Sequence, residues 1–383
     1  MNNPLKARVY KNVNDLPAPV WDELLADTSV AMSLQFWRVL EQARLNDFEY
    51  RYVLFVDEAE QAVGLTCFYS VTTDIAIFAP GPLRALLTGV RRVFPNFLKL
   101  RMLECGTPIT ITSPPFARRG DVTDAEMVAA LHEVLHQNAR AEGQLLIVVR
   151  DFEPNAHALE HEFHRHGYHW IDSLPNTYIN IEWATPDQYL SAMRSYYRSK
   201  LLKHLKRNRE AGISHRLVDD FDDLAETLHA QWMVVHESAS EFQREVLTPE
   251  FYRRFSQDMG PLSKAILFYR EETLVGHALL LVDGETVRWL YVGREVADND
   301  GLYLYVAQTV VETAILLGAK RLEMGLTTYP IKQDLGAEVT PIKLALRATW
   351  GLINPFVGLG YKLLNSVPEP SPRQIFKTAK QPS

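Results

Sequence analysis

Two apolar hairpin patterns far apart in the chain superpose on each other, and this internal likeness constrains the fold more than any other feature. Leu54-Phe55-Val56 followed by Val63-Gly64 matches Leu267-Phe268-Tyr269 followed by Val275-Gly276, with the second turn one residue shorter. A repeat at so long a period indicates a duplicated domain and not a solenoid, whose units run about 20–50 residues. At 383 residues the chain has room for two such domains, each able to bury a core. In the first half the pattern predicts a strand at 7–10, helices around 20–26 and 34–45, the hairpin 52–56 with 63–69, a strand at 102–105, a helix at 125–141 and a buried strand at 145–149. The second half repeats this with a hairpin at 264–269 and 274–282, a third strand at 285–292, a helix at 302–317 with Asp300 as N-cap, and a short strand at 321–324.

Composition removes several function classes. A formal net charge of -7 argues against a dedicated nucleic-acid binder, which would be basic over a whole face. The two cysteines, Cys67 and Cys105, lack metal-ligand spacing and offer no disulfide framework, so a reducing compartment is expected. The N-terminus lacks the apolar core of a signal peptide, and no apolar run reaches the length of a membrane span. The expected location is cytoplasmic, with any membrane contact made from the cytoplasmic face.

The order of elements resembles the GNAT acyltransferase fold. Residues 196–342 resemble the branch related to Fem-type aminoacyltransferases and bacterial GNAT-like N-acyltransferases. The resemblance is carried by Tyr197-Arg198-Ser199-Lys200, Lys206-Arg207-Asn208, Leu274-Val275-Gly276, Trp289 to Gly293, Arg321-Leu322-Glu323-Met324-Gly325, Tyr329-Pro330-Ile331-Lys332 and Leu335-Gly336-Ala337-Glu338. It implies an α/β (α+β) protein of two tandem GNAT-like domains, each a mixed central sheet flanked by helices. Residues 1–180 would form a degenerate first domain acting as wall or lid, 181–347 the catalytic domain, and 348–383 an apolar, then polar, tail. It further implies that two central strands splay apart to admit a thioester donor beside backbone of the Tyr291 and Gly293 stretch. One departure stands out. The loop from Arg294 to Gly301 has a single glycine and three acids where a glycine-rich phosphate cradle is usual. That keeps aminoacyl-tRNA open as a donor beside acyl-CoA.

Amide formation needs a base, an oxyanion donor and an acid. Glu323, Tyr329 and Lys332 follow one another at a strand end and are the first candidates. Their alternative roles are an ion pair of Glu323 with Arg321 or Lys332, and simple packing of Tyr329. His277, just after Gly276, is a candidate base or a hydrogen-bonded core residue. His236 lies near the end of a helix at 224–235, where it closes an acceptor pocket or is solvated. In the first half Glu104 marks a second pocket, and Cys105 reads as a buried thiol without a base. His157, His161, His164, His166 and His169 cluster in sequence, yet no acid or cysteine completes a tetrahedral set, so no metal is expected.

From Arg194 to Arg209 there are seven Lys or Arg and no acid, with Tyr197, Leu201 and Leu205 as an apolar stripe. Arg198, Lys200 and Lys203 on this basic helix are candidates to hold CoA phosphates, a tRNA backbone or anionic lipid. The stretches 83–100 and 350–364 mix large apolar residues with Lys and Arg and read as interfacial anchors, acyl-chain walls or buried core. The sequence therefore predicts an N-acyltransferase with no permanently bound cofactor, joining an acyl thioester to a primary amine of a small molecule or lipid, such as a sphingoid base or an amino acid. A Fem-type transferase acting on a cell-wall precursor, with tRNA as its nucleic-acid partner, and a non-catalytic lipid- or partner-binding module are the alternatives.

Overall fold

The β-formers of the two hairpin patterns become long antiparallel strands in a computed structural model, described for residues 5–25, 28–79, 81–239, 245–296, 301–364, 367–368 and 370–377. In chain order the strands are β1 (Lys6–Tyr10), β2 (Glu49–Val56), β3 (Ala62–Asp74), β4 (Lys99–Cys105), β5 (Ala117–Arg118), β6 (Leu146–Phe152), β7 (His169–Asp172), β8 (Asn176–Asn180), β9 (Ile213–Val218), β10 (Ser263–Arg270), β11 (Thr273–Asp283), β12 (Thr286–Arg294), β13 (Arg321–Glu323), β14 (Glu338–Thr340) and β15 (Lys343–Ala348). They form two sheets. One has the order β1-β2-β3-β4-β6-β15-β7, with β5 beside β3, and the other β9-β10-β11-β12-β13-β8-β14.

Position by position the two orders correspond, and the correspondence includes an exchange. The sixth place in the first sheet is taken by β15, from the end of the chain. The sixth place in the second is taken by β8, which directly follows β7 in sequence. β15 pairs antiparallel with both β6 and β7, whereas β8 pairs antiparallel with β13 and β14. The chain accordingly divides into unit 1, comprising Met1–Leu174, Glu241–Leu247 and Pro341–Pro368, and unit 2, comprising Pro175–Ser240, Thr248–Thr340 and Glu369–Ser383. This differs from the contiguous domains expected from sequence. Residues 176–180 build the second sheet and residues 343–348 the first, because strand partners are chosen by sheet geometry and not by adjacency. Nor are residues 348–364 a tail, since the helix Asn354–Leu364 packs on the first sheet through Val357 and Tyr361.

Each sheet buries one face under helices whose apolar spacing predicts it. In unit 1 the helix Asp124–Ala141 turns Met127, Leu131, Val134 and Leu135 onto the sheet, and its start is fixed by a capping box between Thr123 and Glu126. In unit 2 the helix Leu302–Leu316 is apolar almost all round and is buried along most of its length. A helix at Pro249–Met259, unexpected from sequence, had its signals in place. Thr248 caps the Phe251 amide, Pro249 occupies the first turn, and Phe251, Tyr252, Phe255 and Met259 are buried. The histidine run is dispersed over separate partners: His157 bonds the Phe152 carbonyl, His164 that of Tyr168 and His169 that of Asn354, while His166 stacks against His132. Among the described residues no group of three or more His, Cys, Asp or Glu is arranged to hold a metal.

The exchange makes a test. A fragment of residues 1–174 lacks β15, so β6 and β7 lose the strand between them and their unpaired backbone groups face water. That fragment is expected to show no cooperative thermal transition, whereas the full chain does; a sharp calorimetric peak from the fragment would contradict the assignment of β15.

Candidate active site

The parallel pairing of β12 with β13 covers only Thr286↔Arg321, Val287↔Leu322 and Arg288↔Glu323. β12 then continues to Arg294, while the other strand leaves the sheet at Gly325. At the same point β12 bulges: Trp289 and Tyr291 face Leu280 and Leu279 of β11, with Leu290 as the extra residue between them. A bulge bends its strand and sharpens the local twist, so it carries β12 away from β13.

On the departing side the backbone is strained. Gly325 has φ +77, and Thr327 and Thr328 adopt φ 64 and 47 before the helix Tyr329–Asp334 begins. β-branched residues in this region cost about 1–3 kcal/mol each and persist only where their surroundings hold them. Lys332 supplies part of that hold. Its Nζ donates to the carbonyls of Gly325 at 2.9 Å and Leu326 at 2.7 Å, Thr177 Oγ1 donates to Gly325 O at 2.5 Å, and the hydroxyls of Tyr303 and Thr328 bond at 3.0 Å. Lys332 is only 3% exposed. Burial pulls its amine down to about 7, against the opposing field of Glu323.

Glu323 is not the free base that its position suggested. Its carboxylate, 1% exposed, accepts from Arg288 Nη1 and, at 2.6 Å, from Asn176 Nδ2. Arg288 also donates through Nε to Asp283 at 2.8 Å. Burial lowers the Arg288 pKa, but Glu323 and Asp283 outweigh it and leave the guanidinium above its ordinary value. The expected partner Arg321 lies instead over the Tyr178 ring, 3.7 Å from its centroid. Tyr329 is packed, its hydroxyl donating to the Pro175 carbonyl at 3.0 Å, so it ties its helix to the start of β8 and is not an open acid.

His277 is likewise a core residue and not a cleft base. It is fully buried, with Nδ1 bonded to Gln231 Oε1 at 2.9 Å and Nε2 to the Tyr252 hydroxyl at 3.1 Å. The amide oxygen can only accept, which makes Nδ1 the protonated nitrogen. Burial lowers its pKa to about 3. Gly293 is small for its sake, since a Cβ there would stand 2.2 Å from His277 Cε1. Tyr291 and His236 do come together. Tyr291 meets Trp232 and Phe251 edge to face, and His236 stacks on Trp232 with centroids 4.4 Å apart, giving an aromatic wall beside the bulge.

The basic helix forms as Ser195–Glu210 with Leu201 and Leu205 inward. Lys200 is held by Asp334 at 2.5 Å, which also receives Arg373, so it is a structural ion pair; Lys203 is exposed and Arg198 half-buried. His204, unforeseen in the sequence, has a buried Nδ1 with no hydrogen-bond partner among the described residues. It faces Gly301, where the helix Leu302–Leu316 begins, and after burial the nearby Lys200, Arg207 and Lys203 lower its pKa. The expected cap Asp300 and Asp298 before it lie outside the described residues.

The equivalent place in unit 1 is closed. β4 and β6 pair up to Cys105↔Val149. Beyond that, Arg150 Nη1 donates to the Thr107 carbonyl at 3.0 Å and to the Tyr69 hydroxyl at 3.2 Å, and Tyr69 donates to Glu104 at 2.9 Å. Glu104, 4% exposed, is therefore bound up inside the unit. Burial raises its pKa against the pull of Arg150. Burial also pushes the Cys105 thiol up to about 12, as expected of an inert thiol.

A sequence model of the acetyltransferase (GNAT) domain matches residues 195–333. Over those residues the chain is similar to a GNAT domain. Two Mycobacterium tuberculosis proteins, from strains CDC 1551 / Oshkosh and ATCC 25618 / H37Rv, both named "Putative 8-amino-7-oxononanoate synthase 2", are 27% identical over 325 residues, 82% of this chain and 42% of theirs. The chain thus spans less than half the length of these relatives. Among solved structures, the C-terminal domain of a protein named "Putative Lysylphosphatidylglycerol Synthetase" from Agrobacterium fabrum has a TM-score of 0.55 at 9% identity, covering 92% of this chain and 95% of that one. FemX gives 0.55 at 11% identity, covering 89% and 96%. A tandem GNAT protein from the clavulanic acid pathway gives 0.53 at 10% identity, covering 90% and 99%. These likenesses fix the architecture as two GNAT-like units in one chain.

Two measurements probe the buried groups. Glu323→Ala leaves Arg288 short of a partner inside the sheet and is expected to cost about 3–5 kcal/mol in denaturant unfolding; a loss below about 1 kcal/mol would show the pair to be solvated. For His277 the unfolded chain takes up a proton near the ordinary value of about 6.5, the folded chain only at about 3. Its contribution is therefore present above that unfolded value and declines as pH falls, by up to about 1.4 kcal/mol per pH unit. His277→Gln should flatten the acid limb of stability between these values.

Proposed function

We propose that unit 2 is an N-acyltransferase that forms an amide between an acyl thioester and a primary amine where β12 and β13 part. The observation that carries this reading is the end of their ladder at Arg288↔Glu323, coincident with the bulge at Leu290 and the strained turn at 325–328. An acyl group laid along the bulged strand would meet the amine beside the wall of Tyr291, Trp232 and His236. The amine nitrogen attacks the thioester carbonyl, the C–N bond forms, and collapse of the oxyanion breaks the C–S bond. The thiolate leaves and takes up a proton.

Lys332 is the base we assign. With its pKa brought to about 7, a large share of the side chain is neutral at physiological pH. A neutral amine keeps two N–H bonds for the carbonyls of Gly325 and Leu326 and presents its lone pair to the incoming amine's proton. Acyl-CoA is the proposed donor. His204, Lys203 and Arg207 beside the start of the helix at Leu302 provide a setting for phosphates. A long-chain or lipid-like amine, such as a sphingoid base, or an amino acid is the proposed acceptor. The name of the mycobacterial relatives includes an aliphatic primary amine, which is compatible with it, and that of the Agrobacterium structure a lipid. We place the reaction on the cytoplasmic side. A second reading, aminoacyl transfer from tRNA, is supported by the seven cations from Arg194 to Arg209 and by the fold shared with FemX.

The test is amide formation by the full chain from labelled acyl-CoA or from charged tRNA, with and without ribonuclease. Acyl-CoA turnover insensitive to ribonuclease is expected, with kcat/KM rising with pH through a limb near 7 as Lys332 loses its proton. Lys332→Gln should lower kcat by about 10²–10⁴-fold and abolish that limb. Full turnover with an unchanged pH profile in this variant would remove Lys332 from the chemistry.

A further inference from the structure

The sheet of unit 1 has a second apolar face, made by Met102, Val148, Leu346 and Ile171 on the adjacent strands β4, β6, β15 and β7. Two segments cover it. Ile75 and Leu100 pack on it from the stretch that brackets the helix Gly81–Gly89, and Val357 and Tyr361 pack on it from the helix Asn354–Leu364. Both segments turn larger apolar side chains away from the protein. Leu86, Val93 and Phe94 are 67%, 74% and 64% exposed, and Leu352, Phe356 and Leu359 are 92%, 70% and 59% exposed. The helix Gly81–Gly89 buries none of its residues. Isolated apolar side chains on a surface need no explanation, but six large exposed ones on the two segments attached to one sheet face are of the kind that marks a binding surface.

Charge selects the occupant. Residues 81–101 contain Arg84, Arg91, Arg92, Lys99 and Arg101 and no acid, and residues 350–364 contain Lys362 and no acid, in a chain whose formal net charge is -7. Asp74 engages Arg91, with Lys99 acting on it as well, and Glu49 and Asp47 engage Arg101, while Arg92 and Lys99 are exposed on the same segment. A symmetric pair of copies joined through this face would set like charges against like. A surface of anionic lipid headgroups over acyl chains satisfies both the cations and the apolar side chains. The helices, of 9 and 11 residues, are too short to cross a bilayer, which takes about 20. We propose that unit 1 docks on an anionic membrane through this face, with Leu86, Val93, Phe94, Leu352, Phe356 and Leu359 entering the headgroup layer. The proposal does not depend on the reaction assigned to unit 2.

The experiment is flotation of the full chain with phosphatidylcholine vesicles, with and without phosphatidylglycerol, at low and high salt. Binding is expected only with phosphatidylglycerol and should weaken as salt rises. Leu352→Glu with Phe356→Glu, and separately Val93→Glu with Phe94→Glu, should each reduce binding on the order of tenfold to a hundredfold, the loss expected when buried apolar side chains are withdrawn. Phe356→Leu should restore most of it. Thermal melting identifies any variant that fails to fold, and Arg92→Glu with Lys99→Glu, both exposed side chains, supplies an independent loss of binding. Equal flotation of wild type and folded variants, flotation on neither vesicle, or a concentration-dependent dimer that the glutamates dissolve would each overturn the proposal, the last in favour of a second copy as the occupant.

Discussion

Glu323 reaches Arg288 on the strand to one side and Asn176 on the strand to the other, so three neighbouring strands are locked at the last register position that β12 and β13 share. Such a lock is costly to assemble, because each charge must leave water, and it holds only while every partner is present. Its location matters more than its strength. Up to Arg288 the strands cannot separate without stranding a buried charge; past it, among the described residues, the ladder between them does not continue and the bulge bends β12 away. The ion pair thereby marks where the shared ladder ends, and the strained turn and Lys332 follow just beyond it.

The two units show how little need change to close such an opening. In unit 1 the cation next to the parting strands is Arg150, on β6 itself, and its planar fork reaches across to the carbonyl of Thr107 on the continuation of β4. In unit 2 the cation is Lys332, on a helix further along, and it bonds carbonyls of its own turn. Arginine stays charged under any such burial, whereas a buried lysine can yield its proton near neutrality. The same topology thus yields a sealed, charged seam in one copy and a titratable amine in the other.

Much of the architecture was legible because apolar periodicity survives in long elements. Both hairpins, the helices at 124–141 and 302–316 and the duplication itself follow from spacing. Short strands were not legible: β8, β14 and β15 have only three to six residues, and their partners lie far away in sequence, so pairing decides them. The same limit applies at the site. Lys332, Tyr291 and His236 could be singled out by residue type and place. The displacement of Glu323 and His277 into structural roles could not, because it depends on Asn176, Arg288, Gln231 and Tyr252, residues that no local motif marks. Gly293 offered a clue, since a glycine inside a strand often signals a close neighbour, here an imidazole.

The exchange of β8 and β15 has a bearing on how the chain comes into being. β15 follows all seven strands of the second sheet in the chain, so during synthesis the first unit waits, its gap between β6 and β7 open, while residues 173–342 emerge. Contacts this distant in sequence are formed late and slowly. The nascent protein therefore carries an exposed seam of backbone amides until β15 is made, an edge open to wrong pairing for as long as that strand is missing.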